Sequence, residues 1–167
     1  LVDDLLDLSR ISHGQIVLRR SRFPLQQALA AALESCQPLL QRESLIMEQQ
    51  VEVAPLVVEA DATRLAQIIS NLVGNAAKFT PEGGRIEVHL RRSGDKAEIE
   101  VIDSGIGIAP EMIERIFEMF AQAGGSPGKS ASGLGIGLRL ARQLAELHGG
   151  SLRAESEGLG KGSRFTL

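Results

Sequence analysis

Apolar residues recur at helical spacing in three segments of the chain. The segments run from about 26 to 41, from a capping Asp61 to about 79, and from about 135 to 148. Because a helix turns every 3.6 residues, each set forms a stripe that can pack into a core. Pro38 lacks a backbone donor, so we expect it to kink or end the first helix. The later stripes comprise Leu65, Ile69, Leu72, Ala76 and Phe79, and then Ile136, Leu140, Leu144 and Leu147.

Strict alternation of apolar and polar residues predicts a β-hairpin with a turn at 93–96. Its apolar positions are Ile86, Val88, Leu90, Ala97, Ile99 and Val101. One face of this hairpin is apolar and the other is charged, so helices must cover the apolar face. Further extended segments are expected at 16–25, 45–53, 56–60, 151–156 and 162–167. The predicted fold class is therefore α/β, as a two-layer α/β sandwich.

The first 12 residues have the pattern of the end of a helix. Leu1, Leu5 and Leu8 follow each other at four-then-three spacing, which is typical of a seam between helices, and Gly14 is a stop signal. We expect this exposed seam to meet a partner helix. Neither end of the chain has the character of a natural terminus, so we expect a piece of a larger protein.

Composition is that of a globular domain. The chain has 167 residues, 43% hydrophobic and 23% charged, with a net charge of -3. No broad basic surface suggests nucleic acid as a partner. The single cysteine, Cys36, excludes an intrachain disulfide, fits a reducing compartment and is expected to be a buried small hydrophobe. No apolar run approaches the roughly 20 residues that span a bilayer, so we expect a cytoplasmic domain, whose full-length protein could still carry a membrane anchor elsewhere.

Two amides and an ammonium share one face of the second helix. Asn71, Asn75 and Lys78 are spaced four and then three residues apart. Amide oxygens suit a hard cation such as Mg²⁺, and an ammonium suits phosphate. Taken alone, a solvated polar face explains the pattern better.

Two glycine-rich segments add further candidate chemistry. Residues 103–107 read DSGIG after a strand, and residues 133–138 read GLGIGL before a helix, whose N-terminal amides can bind phosphate. Glycine at every second position fits neither the dinucleotide fingerprint nor a P-loop. A third run, Gly158, Gly160 and Gly162, is interpreted as a plain turn between closing strands.

These segments together resemble a known family. Residues 68–80, 103–107 and 133–138 are similar to the N box and the two glycine boxes of the histidine-kinase ATP-binding domain, in that family's order, and residues 116–120 (IFEMF) resemble its F box. The resemblance implies the Bergerat ATP-binding fold, a mixed sheet covered on one face by about three helices. It also implies a catalytic domain at 15–167 and, at 1–14, the end of the second helix of a dimerisation and phosphoacceptor hairpin.

The resemblance also implies roles for individual residues. Asn71 and Lys78 would be catalytic, and Asn75 with Asn71 would hold Mg²⁺. Residues 121–132 would form an ATP lid anchored by Phe117 and Phe120, with Lys129 as its cation. The ATP contacts would comprise Asn71, Asn75, Lys78, Phe79, Asp103, Gly105, Gly107, Ile108, Phe120, Lys129, Gly133, Leu134, Gly135, Gly137 and Leu138.

Asp103 offers a chemical reason for nucleotide selection. A carboxylate can accept a hydrogen bond from the exocyclic amine at position 6 of adenine, and guanine lacks that amine. Gly105 and Gly107 would let the backbone approach the base. The alternative is that Asp-Ser-Gly is a common turn.

The implied reaction is transfer of the ATP γ-phosphate to a histidine and then to a receiver aspartate. The implied partners are the protein's own dimerisation and phosphoacceptor domain, a response-regulator receiver domain and a second copy in a homodimer. None of His13, His89 and His148 is followed by an acidic residue as in the family's H box, so we expect the acceptor upstream of Leu1.

Two alternatives remain. One is an ATPase of the same fold, which would need a glutamate as general base where this chain has Asn71. Gly74 also departs from relatives that carry an acidic residue directly before the magnesium asparagine. The sequence therefore leaves open which residue, if any, acts as a base toward the acceptor histidine. The other alternative is an adapter that keeps the fold without binding nucleotide, against which Asn75, Asp103 and the intact glycine segments argue.

Overall fold

The computed structural model describes residues 2–118 and 135–167. Within them, the chain forms four α-helices and seven strands. The helices are α1 (Val2–Ser12), α2 (Leu25–Arg42), α3 (Ala62–Phe79) and α4 (Gly137–Leu147). The strands are β1 (Ser21–Pro24), β2 (Ile46–Val51), β3 (Val57–Ala60), β4 (Arg85–Ser93), β5 (Lys96–Asp103), β6 (Arg153–Glu155) and β7 (Ser163–Thr166). Two 3₁₀ turns, Pro110–Met112 and Arg115–Phe117, follow β5.

Five strands form one mixed sheet in the order β2-β4-β5-β7-β6. β2 runs parallel to β4, and the other three pairings are antiparallel. The β4–β5 hairpin has the predicted alternation, with Val88 opposite Val101. β1 and β3 form a separate antiparallel pair. The register of β5 with β7 places Ser163 opposite Asp103, a pairing that shapes the site described below.

The core lies between the sheet and the helices α2, α3 and α4. Most of its large, fully buried side chains come from the predicted stripes of β4, β5, α3 and α4: Ile69, Leu72, Ile86, Val88, Leu90, Ile99, Val101, Leu140 and Leu144. Leu29 of α2 is another, whereas Leu147, predicted in the α4 stripe, is 38% exposed because it lies at the last turn of that helix. Cys36 is buried here too, as predicted, and burial raises the pKa of its thiol. The two-layer sandwich with helices on one face is therefore confirmed.

The start of α3 follows from its cap. The carboxylate of Asp61 accepts a hydrogen bond from the Arg64 backbone N–H at 3.1 Å and another from Arg19 N–H at 2.9 Å. The Asp61 backbone N–H donates to Nε2 of His148 at 3.1 Å, while Nδ1 of that histidine lies 2.7 Å from the Leu144 carbonyl oxygen. The cap therefore fixes α3 against the end of α4.

Pro38 does not end α2, which continues to Arg42, close to the predicted end at about 41. The buried residues Leu33, Cys36 and Leu40 share its inner face, so packing holds the last turns although one backbone bond is lost. Several boundaries also shift: the extended segment expected at 16–25 forms a strand only at β1, and α4 begins at Gly137.

The leucine seam predicted for α1 does not form as one surface. Leu8 packs into the core at 7% exposure, whereas Leu5 is 39% exposed. The turn of the helix that buries Leu8 also points Asp7 at α3, where the Arg64 guanidinium contacts its two carboxylate oxygens at 2.5 and 3.1 Å. α1 is thus held against the rest of the described structure by both apolar packing and an ion pair. No helix in the described ranges is long and apolar enough to cross a bilayer.

Candidate nucleotide-binding site

A cavity opens where the second half of α3, the loop after β5 and the start of α4 meet. α3 contributes polar and apolar side chains, the loop contributes backbone, and β7 closes the floor. The lining residues are Asn75, Ala76, Phe79, Asp103, Ile106, Gly107, Ile108, Ile116, Leu138, Ser163 and Phe165. The cavity therefore brings together residues from the N box and both glycine segments.

Asp103 is the charged residue of the cavity wall. It is 7% exposed, and its Oδ1 accepts a hydrogen bond from the Gly105 backbone N–H at 2.8 Å. The Ser163 hydroxyl donates to Oδ2. Burial raises the pKa of the Asp103 carboxyl, and the hydrogen bonds from Ser163 and Gly105 oppose that rise only in part. A carboxylate has about four acceptor positions, so an acceptor remains for a ligand in the cavity.

Ser163 is a site residue that the sequence did not indicate. It belongs to β7, 60 residues from Asp103, and it reaches the carboxylate because β5 and β7 are paired at this point. Local patterns do not reveal which strands pair. The signal available was its place at the start of a predicted closing strand, directly after Gly162.

The loop of residues 104–108 owes its path to close backbone contacts. A Cβ added to Gly105 would lie 2.5 Å from the Phe79 carbonyl oxygen, and one on Gly107 would lie 2.0 Å from the Gly158 carbonyl oxygen. Gly107 also has a φ of +71°, which favours glycine. The glycines therefore let this loop approach the end of α3 on one side and the turn of residues 156–162 on the other.

The interpretation of Gly158, Gly160 and Gly162 as a plain turn is incomplete. The Gly160 N–H donates to the Ile106 carbonyl oxygen at 2.7 Å, and the Gly162 N–H donates to that of Gly105 at 3.1 Å. The turn is thus bonded to the wall of the cavity. The sequence could not show this, because the contact depends on the same long-range β5–β7 pairing.

The three polar residues of α3 occupy different positions relative to the cavity. Asn75 lines the cavity beside Asp103. The Asn71 side-chain amide donates to the Gly137 carbonyl oxygen at 3.3 Å, which ties α3 to the first residue of α4. The Lys78 ammonium lies 5.0 Å from the centre of the Phe79 ring and not in the cavity wall. Of these three residues, Asn75 lines the cavity, whereas Asn71 and Lys78 are not among the described residues of its wall, and their roles stay predictions.

The start of α4 brings a helix N-terminus to the cavity. Its N-cap, Ile136, is buried and provides no side-chain cap to the first amides. Gly135 has a φ of +66°, and Leu138 lines the cavity. Helix N-termini of this kind bind anions. The predicted contacts Gly133 and Leu134 lie outside the described residues, as do Phe120, Lys129 and the lid of residues 121–132.

The F-box residue Phe117 joins three elements at the base of the site. It is buried, its ring meets that of Phe165 edge to face at 6.4 Å, and the Arg142 guanidinium of α4 lies 4.8 Å from its centre. Phe117 is thus a core residue, and its implied role as an anchor of the lid stays a prediction because the lid lies outside the described residues. Arg142 is a further contact that the sequence did not single out.

A metal at this site would depend on amide and phosphate oxygens. In the described part of the chain, no cluster of three or more His, Cys, Asp or Glu side chains could hold an ion. Mg²⁺ commonly uses one or two protein oxygens together with substrate phosphates. The amide of Asn75, in the cavity wall near the start of α4, fits that requirement.

Comparison with known proteins identifies the family. The family model of histidine kinase-, DNA gyrase B- and HSP90-like ATPases matches residues 60–167, which contain every element of the cavity. The chain belongs to this family. Among relatives of the whole chain is the histidine protein kinase DivJ of Caulobacter vibrioides. It is 39% identical over 167 residues, and the match covers all of this chain and 28% of DivJ. The circadian input-output histidine kinase CikA of Synechococcus elongatus is 38% identical over 169 residues, covering all of this chain and 22% of CikA.

A solved structure supports the same fold. Full-length ShkA in complex with AMPPNP superimposes with a TM-score of 0.85 at 30% identity, over 99% of this chain and 34% of ShkA. The chain spans roughly a quarter of the length of DivJ and of CikA.

Proposed function

We propose that residues 15–167 are the catalytic ATP-binding domain of a two-component sensor histidine kinase and that residues 1–14 are the end of its dimerisation helix. The observation that carries this proposal is the placement of Asp103 in a cavity that also holds Asn75 and borders the start of α4. The names of DivJ and CikA as histidine kinases support the same assignment.

The base and the phosphates would occupy opposite ends of the cavity. Asp103 would accept a hydrogen bond from the adenine amine, between apolar walls formed by Phe79, Ile108 and Leu138. The uncapped amides of α4, with Gly135 and Gly137, would face the phosphates. Lys78 would leave the Phe79 ring to neutralise phosphate charge.

The amide oxygen of Asn75 would hold Mg²⁺, with that of Asn71 as the second candidate ligand. The Asn71 amide nitrogen already donates to Gly137, which leaves its oxygen available. When bound, Mg²⁺ supplies charge neutralisation on the phosphate oxygens. This chain's own residues contribute positioning and electrostatic stabilisation, as in phosphoryl transfer generally.

In the proposed reaction, an imidazole nitrogen of a histidine takes the γ-phosphoryl group and ADP leaves. His148 is a poor acceptor, and none of His13, His89 and His148 lines the described cavity. Both ring nitrogens of His148 are engaged, and those of His89 lie 3.3 and 3.6 Å from carboxylate oxygens of Glu87 and Glu100. His13 Nδ1 lies 2.7 Å from the Ser9 carbonyl oxygen.

The acceptor would therefore belong to the dimerisation and phosphoacceptor domain of a homodimer in the cytoplasm. A receiver aspartate of a response regulator would take the phosphoryl group next. Nucleic acid has no place in this reaction.

A hydrolytic ATPase of the same fold is the competing function. Hydrolysis needs a general base to activate water, and an amide cannot remove a proton at neutral pH. The family relatives that hydrolyse ATP would carry a glutamate at position 71, where this chain has an asparagine bonded to Gly137. The site is therefore suited to hold ATP for transfer.

Calorimetry with ATP and GTP in the presence of Mg²⁺ tests the proposal. ATP should bind at least about tenfold more tightly than GTP, because guanine presents a carbonyl oxygen to the Asp103 carboxylate. Asp103→Asn should weaken ATP binding and reduce this preference. Asp95→Asn is the matched control, because Asp95 is exposed in the turn between β4 and β5 and should leave both affinities unchanged. Equal affinities for ATP and GTP, or no binding of either, would refute the site.

A further inference from the structure

The turn of residues 156–162 contacts the back of the cavity wall and not the cavity itself. Its centre is the Ser156 hydroxyl. The oxygen accepts hydrogen bonds from the backbone N–H of Ile108 at 3.0 Å and of Gly158 at 3.2 Å, and the hydroxyl donates to the Gly162 carbonyl oxygen at 2.7 Å. A serine hydroxyl has one donor and two acceptor positions, so the hydrogen-bonding capacity of Ser156 is fully used.

These bonds connect the two ends of the turn to the loop of residues 104–108. The Gly160 and Gly162 N–H groups bond to the carbonyl oxygens of Ile106 and Gly105. Together with the bond from Ile108 to Ser156, they give three hydrogen bonds along five residues of loop. The contact is also tight, because a Cβ on Gly162 would lie 2.0 Å from the Asp103 carbonyl oxygen. The loop therefore has little freedom while the turn keeps its shape.

The position of the loop sets the orientation of the Asp103 carboxylate. The Gly105 N–H within the loop is one of the two groups that fix this carboxylate, the other being Ser163, the residue that follows the turn. Ile108, which Ser156 holds through its backbone, lines the cavity itself. A change at Ser156 would thus reach both the acceptor for the adenine amine and the adjacent wall.

We propose that Ser156 is a positioning residue that fixes the 104–108 loop and thereby sets the adenine selectivity of the nucleotide site. The inference rests on the proposed function, because it takes Asp103 as the group that recognises adenine. Ser156 does not line the cavity and needs no contact with the nucleotide. Its effect is on the base, so it should alter discrimination between bases more than binding of the phosphates.

The test compares ATP with inosine triphosphate, which differs at position 6 of the base by carrying oxygen in place of the amine. Affinities for both nucleotides with Mg²⁺ are measured by calorimetry for the wild-type chain and for Ser156→Ala. The substitution leaves the Ile108 N–H without its partner. We expect ATP binding to weaken about tenfold, which corresponds to ~1.4 kcal/mol, and inosine triphosphate binding to weaken less than about threefold.

Two variants and one further measurement separate positioning from a general loss of stability. Ser156→Thr keeps the hydroxyl and should restore the selectivity to within about twofold of wild type. Ser35→Ala removes another serine hydroxyl bond, far from the cavity between α2 and α3, and should leave the selectivity unchanged. Amide hydrogen exchange at Ile108 should become faster in Ser156→Ala, because that N–H loses its acceptor.

Two results would be contradictory in different ways. A ratio of ATP to inosine triphosphate affinity in Ser156→Ala within about twofold of the wild-type ratio would overturn the role of Ser156 alone. Equal binding of the two nucleotides by the wild-type chain would overturn the adenine assignment of Asp103 itself. If Ser156→Ala shows no cooperative thermal transition, Ser156→Cys, whose sulfur makes weaker hydrogen bonds, is judged by the same ratio.

Discussion

The ion pair between Asp7 and Arg64 should contribute measurably to the stability of the chain. It joins α1 to the first turn of α3 through two bonds, and the exposed fractions of the two side chains are only 10% and 24%. Fully exposed pairs contribute about 0–1 kcal/mol, and hydrogen bonds to charged groups contribute about 1.5–3 kcal/mol. We therefore expect a coupling free energy of about 1.5 kcal/mol between these residues.

The two single substitutions should differ. Arg64→Ala leaves a buried carboxylate at Asp7 with the Gln67 amide, 3.3 Å away, as its remaining side-chain donor, so the free energy of unfolding should fall by about 2–3 kcal/mol. Asp7→Ala leaves a guanidinium that can turn to water along its aliphatic stem, so the loss should be about 1–2 kcal/mol. Urea unfolding of the wild type, both single variants and the double variant gives the coupling.

The dependence on pH gives a second test of the same pair. Burial by itself would raise the pKa of Asp7, but hydrogen bonds from Arg64 and Gln67, with the charges of Arg64 and Arg10, lower it below its usual value. A carboxyl with a lowered native pKa stabilises the fold above its unfolded pKa of about 3.9, and this contribution is lost as pH falls through the native pKa. The coupling should thus be constant near neutral pH and shrink below about pH 4.

A matched cycle on the exposed pair of Arg115 and Glu118, 3.9 Å apart, controls for general charge effects and should give a coupling near zero. The reasoning would be refuted if the Asp7–Arg64 coupling were also near zero at neutral pH, or if it did not change in acid.

Three further predictions follow from the described geometry. Burial raises the pKa of Asp103 above the usual Asp value of about 3.9, so wild-type ATP affinity should fall as pH drops through that pKa. Because ATP and its Mg²⁺ complex also titrate, calorimetry at stepped pH compares the wild type with Asp103→Asn, and the difference between their affinities should shrink in acid. Gly74→Ala should stabilise by about 0.5–1 kcal/mol because its Cβ meets open space in mid-helix, whereas Gly107→Ala should cost at least ~2 kcal/mol because its Cβ would lie 2.0 Å from a backbone oxygen; urea midpoints decide both. Phe117→Leu should lower the free energy of unfolding by about 1–2 kcal/mol in the same assay, because the ring contacts with Phe165 of β7 and Arg142 of α4 are lost.

Much of the fold could be predicted because its signals are local. The stripe of α3, its Asp61 cap and the alternation of the β4–β5 hairpin each lie within a few residues of sequence. The polar face of α3 and the Asp103 turn were found in the same way. For Pro38 the sequence left two outcomes, a kink or an end, and it could not choose between them because the buried residues that hold the last turns of α2 depend on the tertiary packing.

The remainder could not be predicted because it depends on pairings distant in sequence. Ser163 reaches Asp103 across 60 residues, and Arg64 reaches Asp7 across 57. The bonds of Ser156 to Ile108 and Gly162 require the register of β7 against β5, which no local pattern specifies. Periodicity indicates which face of an element is buried and does not indicate its neighbour.

The fate of the γ-phosphate tests the central claim most directly. The 167-residue chain is incubated with γ-labelled ATP and Mg²⁺, and both released phosphate and protein-bound label are followed over time. The account predicts that bound ATP stays intact. No sustained release of phosphate should occur, and no acid-labile, base-stable label should appear on His13, His89 or His148. Sustained release would show a hydrolase despite Asn71, and label on any of these histidines would show that the acceptor lies within this chain; either result would contradict the account.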